Sequence, residues 1–157
     1  MTNIADKPWE NEPDHLMFMS DAGYICEIKR HPDSKHLNGY IFIPFGHPDY
    51  GKDYNDLHGY NNGAFYEDAP HSHGGWTYAA TRGDEDGGKY TVFGFDCHHS
   101  GDYAPGHAAQ LASLGIGGLS QRFDTYRTIE YVTNVLEQAA HDFKRREKGE
   151  QHDFDKG

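Results

Sequence analysis

Two strand-like runs separated by a polar, glycine-rich turn constrain this chain more than any other stretch. Residues 76–81 and 89–96 are rich in aromatic and β-branched types, which suit a half-buried pleated surface. Between them, Arg82-Gly-Asp-Glu-Asp-Gly-Gly88 has the composition of a turn. Antiparallel pairing about the middle of that turn sets Thr77 opposite Phe93, Gly75 opposite Phe95 and His73 opposite Cys97, with His71 near His99. A register slip exchanges faces, but the flanking segments still meet at the open end of the hairpin. Those segments are His71-Ser-His-Gly-Gly-Trp-Thr-Tyr78 and Gly94-Phe-Asp-Cys-His-His-Ser-Gly-Asp102. The hairpin thus predicts convergence of His71, His73, Asp96, Cys97, His98, His99 and Asp102. Gly74 and Gly75 allow close approach of a ligand or a second backbone, and Thr77 and Tyr78 complete the ligand-binding candidates on this side.

Elsewhere the pattern predicts an α+β domain, a small antiparallel sheet of four to six strands covered by a long C-terminal helix. Residues 1–148 form that single domain, with 1–14 loosely ordered and 149–157 a flexible tail. Leu16 to Met19 begins a strand. Residues 23–29 alternate but carry apolar groups on both faces, and 37–45 is the most apolar strand, so these two make a first hairpin enclosing Cys26. Residues 46–70 lack periodicity and read as a loop over the site, with Tyr50, Tyr54 and Tyr60 as candidates to line it. Residues 105–121 hold at most one helical turn before a flap with glycines at 115, 117 and 118. Ile129, Val132, Leu136, Ala139 or Ala140, and Phe143 then form one apolar helical stripe. Asp124 or Thr125 is its expected cap, and Lys144-Arg-Arg146 suits its C-terminal dipole.

Charge and composition narrow the functions. A formal charge of −11 opposes direct nucleic-acid binding over a large surface and suits docking on a basic protein. No apolar run is long enough to cross a membrane, and the first residues lack a secretory apolar segment, so a cytoplasmic location is expected. Only Cys26 and Cys97 occur, and in a reducing compartment they stay unpaired. A homodimer through a sheet edge is compatible with the sequence. An exposed apolar surface for self-assembly is not evident in it.

The clustered residues admit several chemistries. His71 and His73 share a strand face and, with Cys97, His99 or Asp102, offer nitrogen, sulfur and oxygen donors to zinc, although no Cys-x-x-Cys or His-Glu-x-x-His spacing is present. Cys97 beside His98, with His73 opposite, is a candidate nucleophile. A small residue following Phe93 and Phe95 on one strand face is equally a core residue. Asp96 and Asp102 can orient His73 or His99 as a general base. The same groups can instead form a hydrogen-bonded scaffold that fixes the loop.

His73-Gly-Gly-Trp-Thr-Tyr78, Gly94-Phe-Asp-Cys-His-His-Ser-Gly-Asp102 and the closing helix at residues 126–141 together resemble a family of small phage and prophage proteins. Its members carry His-Gly-Gly-x-Thr-Tyr followed by Gly-Phe-Asp-Cys-x-His-x-Gly-Asp. The similarity spans residues 23–141, while His71 and His98 fall outside the motifs. The resemblance implies a viral origin, hence the cytoplasm of a bacterial host, and it implies no particular reaction. The expected function is that of a phage-encoded accessory protein acting by binding. It would interfere with host antiviral defence through its His/Asp/Cys pocket, taking a small nucleotide-like ligand, or through its acidic surface, taking a host protein. The alternative is a small hydrolase, zinc-dependent or not, using His73, His99, Asp96, Asp102 and Cys97.

Overall fold

The computed structural model describes residues 6–57, 60–61, 64–65, 69–83, 88–115 and 124–147. In chain order the elements are β1 (His15–Met19), β2 (Ile25–Arg30), β3 (Leu37–Pro44), α1 (Tyr54–Leu57), β4 (Tyr60–Asn61), β5 (Ala64–Phe65), β6 (Tyr78–Gly83), β7 (Lys89–Asp96), α2 (Pro105–Ser113) and α3 (Ile129–Glu147). Five strands form one antiparallel sheet in the order β1-β2-β3-β7-β6, and β4 and β5 pair separately. The α+β fold with its C-terminal helix is therefore as the sequence pattern predicts.

Strand alternation decides which side chains are buried. Cys26 and Ile28 of β2, Ile41 and Ile43 of β3, and Phe93 and Phe95 of β7 point to one face. Helix α3 lays Val132, Val135, Leu136, Ala139, Ala140 and Phe143 against it. Trp76 lies at the centre of this layer, with its ring 5.6 to 6.3 Å from those of Phe93, Phe95 and Phe143. Full burial of each such ring stabilises the fold by about 1.5–3 kcal/mol. Two glycines let large rings lie flat on the middle strands. Gly39 pairs with Phe95, and a Cβ there would stand 2.6 Å from the Phe95 ring. Gly94 pairs with Tyr40 and does the same for that ring on the opposite face.

The hairpin forms, but not in the expected register. Tyr78 pairs with Gly94 and Ala79 with Phe93, two residues from the symmetric alignment. A shift of two preserves every side chain's face, so the aromatic core is unaffected. It changes neighbours at the open end: continuing the pairing brings His73 level with His99 rather than with Cys97.

Other expectations are corrected. Part of the segment expected to be loosely ordered is tied down, by docking of Trp9: a 3-10 turn (Pro8–Glu10) places Trp9 against Tyr103 and Tyr126, at 5.4 and 5.1 Å between ring centres, while residues 1–5 lie outside the described residues. Glu12 then accepts hydrogen bonds from Tyr126 and from the Ile129 N–H at the start of α3. The α3 cap is Thr128, whose Oγ1 accepts from the Tyr131 N–H at 3.1 Å, not Asp124 or Thr125. Residues 105–113 make a nine-residue helix rather than one turn, because Pro105 stands at its first position, where no N–H is needed. The start of the 46–70 segment docks on the C-terminal half of α3, where His47 bonds the Phe143 carbonyl and Asp49 pairs with Arg146. The expected roof over the site is thus not supplied by residues 46–57. Residues 116–123, which hold most of the expected flap, and the 149–157 tail lie outside the described residues.

Candidate functional site

The two motifs converge at the end of β7, where the loop 97–104 folds back toward α3. Asp102 is held there by its backbone: its N–H donates to the His99 carbonyl, and it forms a short parallel bridge with Thr125. Its side chain is only 2% exposed. The carboxylate accepts three hydrogen bonds, from His73 Nε2 at 2.8 Å, Arg127 Nε at 2.8 Å and the His99 N–H at 3.0 Å. Burial alone would raise the Asp102 pKa, but these donors outweigh it and hold the carboxyl below its ordinary range.

His73 links this carboxylate to α3. With its Nε2 proton on Asp102, its Nδ1 accepts from the Tyr131 hydroxyl at 2.6 Å. The result is a chain Arg127–Asp102–His73–Tyr131, with the Arg127 guanidinium also 5.0 Å from the Tyr131 ring centre. Burial pushes the Tyr131 phenol above its ordinary pKa. It is therefore a protonated donor at neutral pH and not a phenolate.

His99 packs beside His73, with ring centres 5.6 Å apart. Its Nε2 is sealed beneath Gly74, where an added Cβ would stand 2.7 Å away. That nitrogen makes no hydrogen bond, and Asp96 Oδ1 lies 3.4 Å from it. Gly74 has φ of +76°, a conformation that favours glycine, so the close approach and the backbone turn have one cause. Gly75 bonds its N–H to Ser72 Oγ. Asp96 shapes the turn by accepting from the His98 N–H at 3.0 Å, and Thr77 is 3.5 Å from its other oxygen.

Four expected participants, Cys97, His71, Tyr54 and Tyr78, lie elsewhere. Cys97 is 1% exposed and part of the hydrophobic core. Burial first, then the nearby Asp102 and Asp96 charges, push its thiol well above the ordinary range, so it is not a nucleophile in this fold. His71 is exposed, with its N–H on Asp142 of α3. Tyr54 packs against the core, Tyr78 bonds Arg82 on the sheet, and the Tyr60 side chain lies outside the described residues. The proposed zinc ligands His71, His73, Cys97 and His99 are therefore not brought to one point. Among the described residues no group of three or more His, Cys, Asp or Glu is placed to hold a metal ion.

A cleft of about 150 Å³ opens behind Asp102, between the loop and α2. It is lined by His98, Asp102, Tyr103, His107, Leu111 and Asp124, among others. His98 Nε2 and His107 Nδ1 are hydrogen-bonded at 3.2 Å, one ring nitrogen donating to the other. Behind them the His36 ring lies tilted 4.6 Å from His98, and His31 stacks on His36 at 5.1 Å. Helix α2 approaches this row closely because Gly106 lies directly on the β2–β3 turn. A Cβ there would fall 1.8 Å from the Asp33 carbonyl oxygen, and the Gly106 N–H bonds Ser34 O.

Sequence reasoning missed Tyr131, Arg127 and His107. Tyr131 sits beside the apolar stripe of α3, and an aromatic group off the stripe was the only local signal for it. His107 gave none, because its place depends on how α2 packs. Comparison of the chain with protein-family models, curated proteins and solved structures finds no match.

Proposed function

We propose that this protein acts by binding. It is a phage-encoded accessory protein that takes a small polar or nucleotide-like ligand in the cleft behind Asp102 and thereby interferes with a host process such as antiviral defence. One observation carries the reading. The groups with catalytic potential are committed inward, with the Cys97 thiol in the core and His73 bonded at both nitrogens. The imidazoles of His98 and His107 and the Asp124 carboxylate instead line an open cleft. Two imidazoles, the Asp124 carboxylate and one aromatic wall, Tyr103, match a ring or phosphoryl group bearing both donors and acceptors. Viral origin is supported by the motif resemblance.

Calorimetric titration with a panel of linear and cyclic nucleotides tests this. Binding that is lost in both His107→Ala and Asp124→Asn is expected. No binding across the panel, together with no gain in plating of a defence-sensitive phage on cells expressing the protein, refutes it. The chain Asp102–His73–Tyr131 favours a second reading, a small hydrolase with an oriented base. Turnover of a phosphoester or amide panel, abolished by His73→Ala at unchanged melting temperature, would replace the first reading.

A further inference from the structure

The sheet has a second face. Helix α3 packs on one side through the odd-numbered residues of β3 and β7. Among the described residues no helix packs across the other side. The strand register aligns Met19, Ile25, Phe42, Val92 and Ala80 there in one row across all five strands. The adjacent row carries Met17, Tyr40 and Tyr78. Met17 is 50% exposed and Met19 62% exposed. Val92 is buried between its neighbours at 4% exposure, Ile25, Phe42 and Ala80 are half-buried, and Tyr78 is 36% exposed; an apolar patch of this kind on a monomer's surface marks an interaction site.

The electrostatics of this face select its occupant. Its charged strand residues, apart from His15, are Glu27, Asp96, Lys29 and Arg82, two carboxylates and two cations that cancel. Glu27 is already paired with His15 and Lys29, and Arg82 with the Tyr78 hydroxyl. The whole chain carries −11, and a face whose strand charges cancel adds little to the repulsion between two copies. Five strands at ~4.8 Å spacing and about six residues at ~3.3 Å give a projected area of roughly 500 Å². Side-chain relief brings that toward the ~800 Å² per partner of a stable contact. A sheet face also satisfies a two-fold axis readily, since each copy presents the same patch.

We infer that the outer face of the five-stranded sheet, centred on Phe42, is the contact surface of a homodimer, with two sheets stacked face to face. It is distinct from the ligand cleft and from an edge-to-edge pairing.

Sedimentation of the full chain up to ~100 µM tests it, together with the variants Phe42→Lys and Met19→Lys. Because Phe42 is half-buried, Met19→Lys, at an exposed position, guards against misfolding, and both melting curves are recorded. The expected result is a wild-type dimer whose dissociation constant rises about tenfold or more in each folded variant. Oxidation of Met17 and Met19 by peroxide should also be slower in the dimer than after dilution to monomer. A wild-type monomer throughout this range overturns the inference. So does a dimer unmoved by Met19→Lys whose Met17 and Met19 oxidise at the monomer rate.

Discussion

Replacing Asp102 with Asn asks whether the buried carboxylate holds the site together. The amide keeps the shape but turns one acceptor into a donor. With its oxygen in the Oδ2 position, His73 and the His99 N–H are served, and the NH₂ faces Arg127 Nε–H at 2.8 Å. In the reverse orientation it faces two donors instead of one. Either way a charge-assisted bond is lost and a donor opposes a donor. Breaking a buried pair costs about 3–5 kcal/mol. Arg127 is 28% exposed and regains some hydration, which places the loss near the lower end, about 3 kcal/mol. For a chain of this size each kcal/mol lowers Tm by about 2–4 °C, so a fall of roughly 10 °C is expected. Calorimetry and urea denaturation measure it. Asp96→Asn is the control: Asp96 is 34% exposed, its contacts to His99 and Thr77 are 3.4 and 3.5 Å, and an amide oxygen can still accept from the His98 N–H, so its change should stay within about 0.5 kcal/mol. Equal losses in the two variants, or a Tm drop under about 3 °C for Asp102→Asn, would refute the reasoning.

Three further outcomes are expected. Burial, with His98 and His31 beside it, pushes the His36 imidazole down to about 4 from 6.5. The unfolded chain then binds this proton first, so stability is full above about pH 6.5 and declines as pH falls toward 4, by at most about 3 kcal/mol; urea midpoints across this window should show the slope, and His36→Asn should flatten it. Thr128→Ala removes the side-chain cap of α3 and should cost about 1 kcal/mol, while Thr128→Ser should restore most of it, as read by thermal denaturation. Gly106→Ala forces a methyl group onto the Asp33 carbonyl, where backbone meets backbone and neither yields easily. It should destabilise by about 1–3 kcal/mol and reduce any ligand affinity of the cleft, since α2 must withdraw from the β2–β3 turn.

The elements of the fold were legible because their signals are local. Alternation with period two marks β2, an apolar run marks β3, aromatic and β-branched enrichment marks β7, and the 3.6 period of Val132, Leu136 and Phe143 marks α3. Convergence of the two motifs followed from the hairpin alone, and it places His73, His99, Asp96 and Asp102 in one neighbourhood. Register was not legible, because it depends on turn geometry at residues that any polar, glycine-rich sequence satisfies. The two-residue shift exchanged Cys97 for His99 as the neighbour of His73.

What the sequence determined by itself is therefore the class of fold, the strand and helix stripes, and part of the list of residues that meet: His73, Asp96, His99 and Asp102. The tertiary structure decided what those residues do. It turned Cys97 into the core, carried His71 away to Asp142, and supplied Tyr131 and Arg127 from α3 to close the chain through His73 and Asp102. It also aligned Met19, Ile25, Phe42, Val92 and Ala80 into one apolar row on the outer face of the sheet. These pairings join residues far apart in the chain, and only packing of α3 and the sheet fixes their distance and direction.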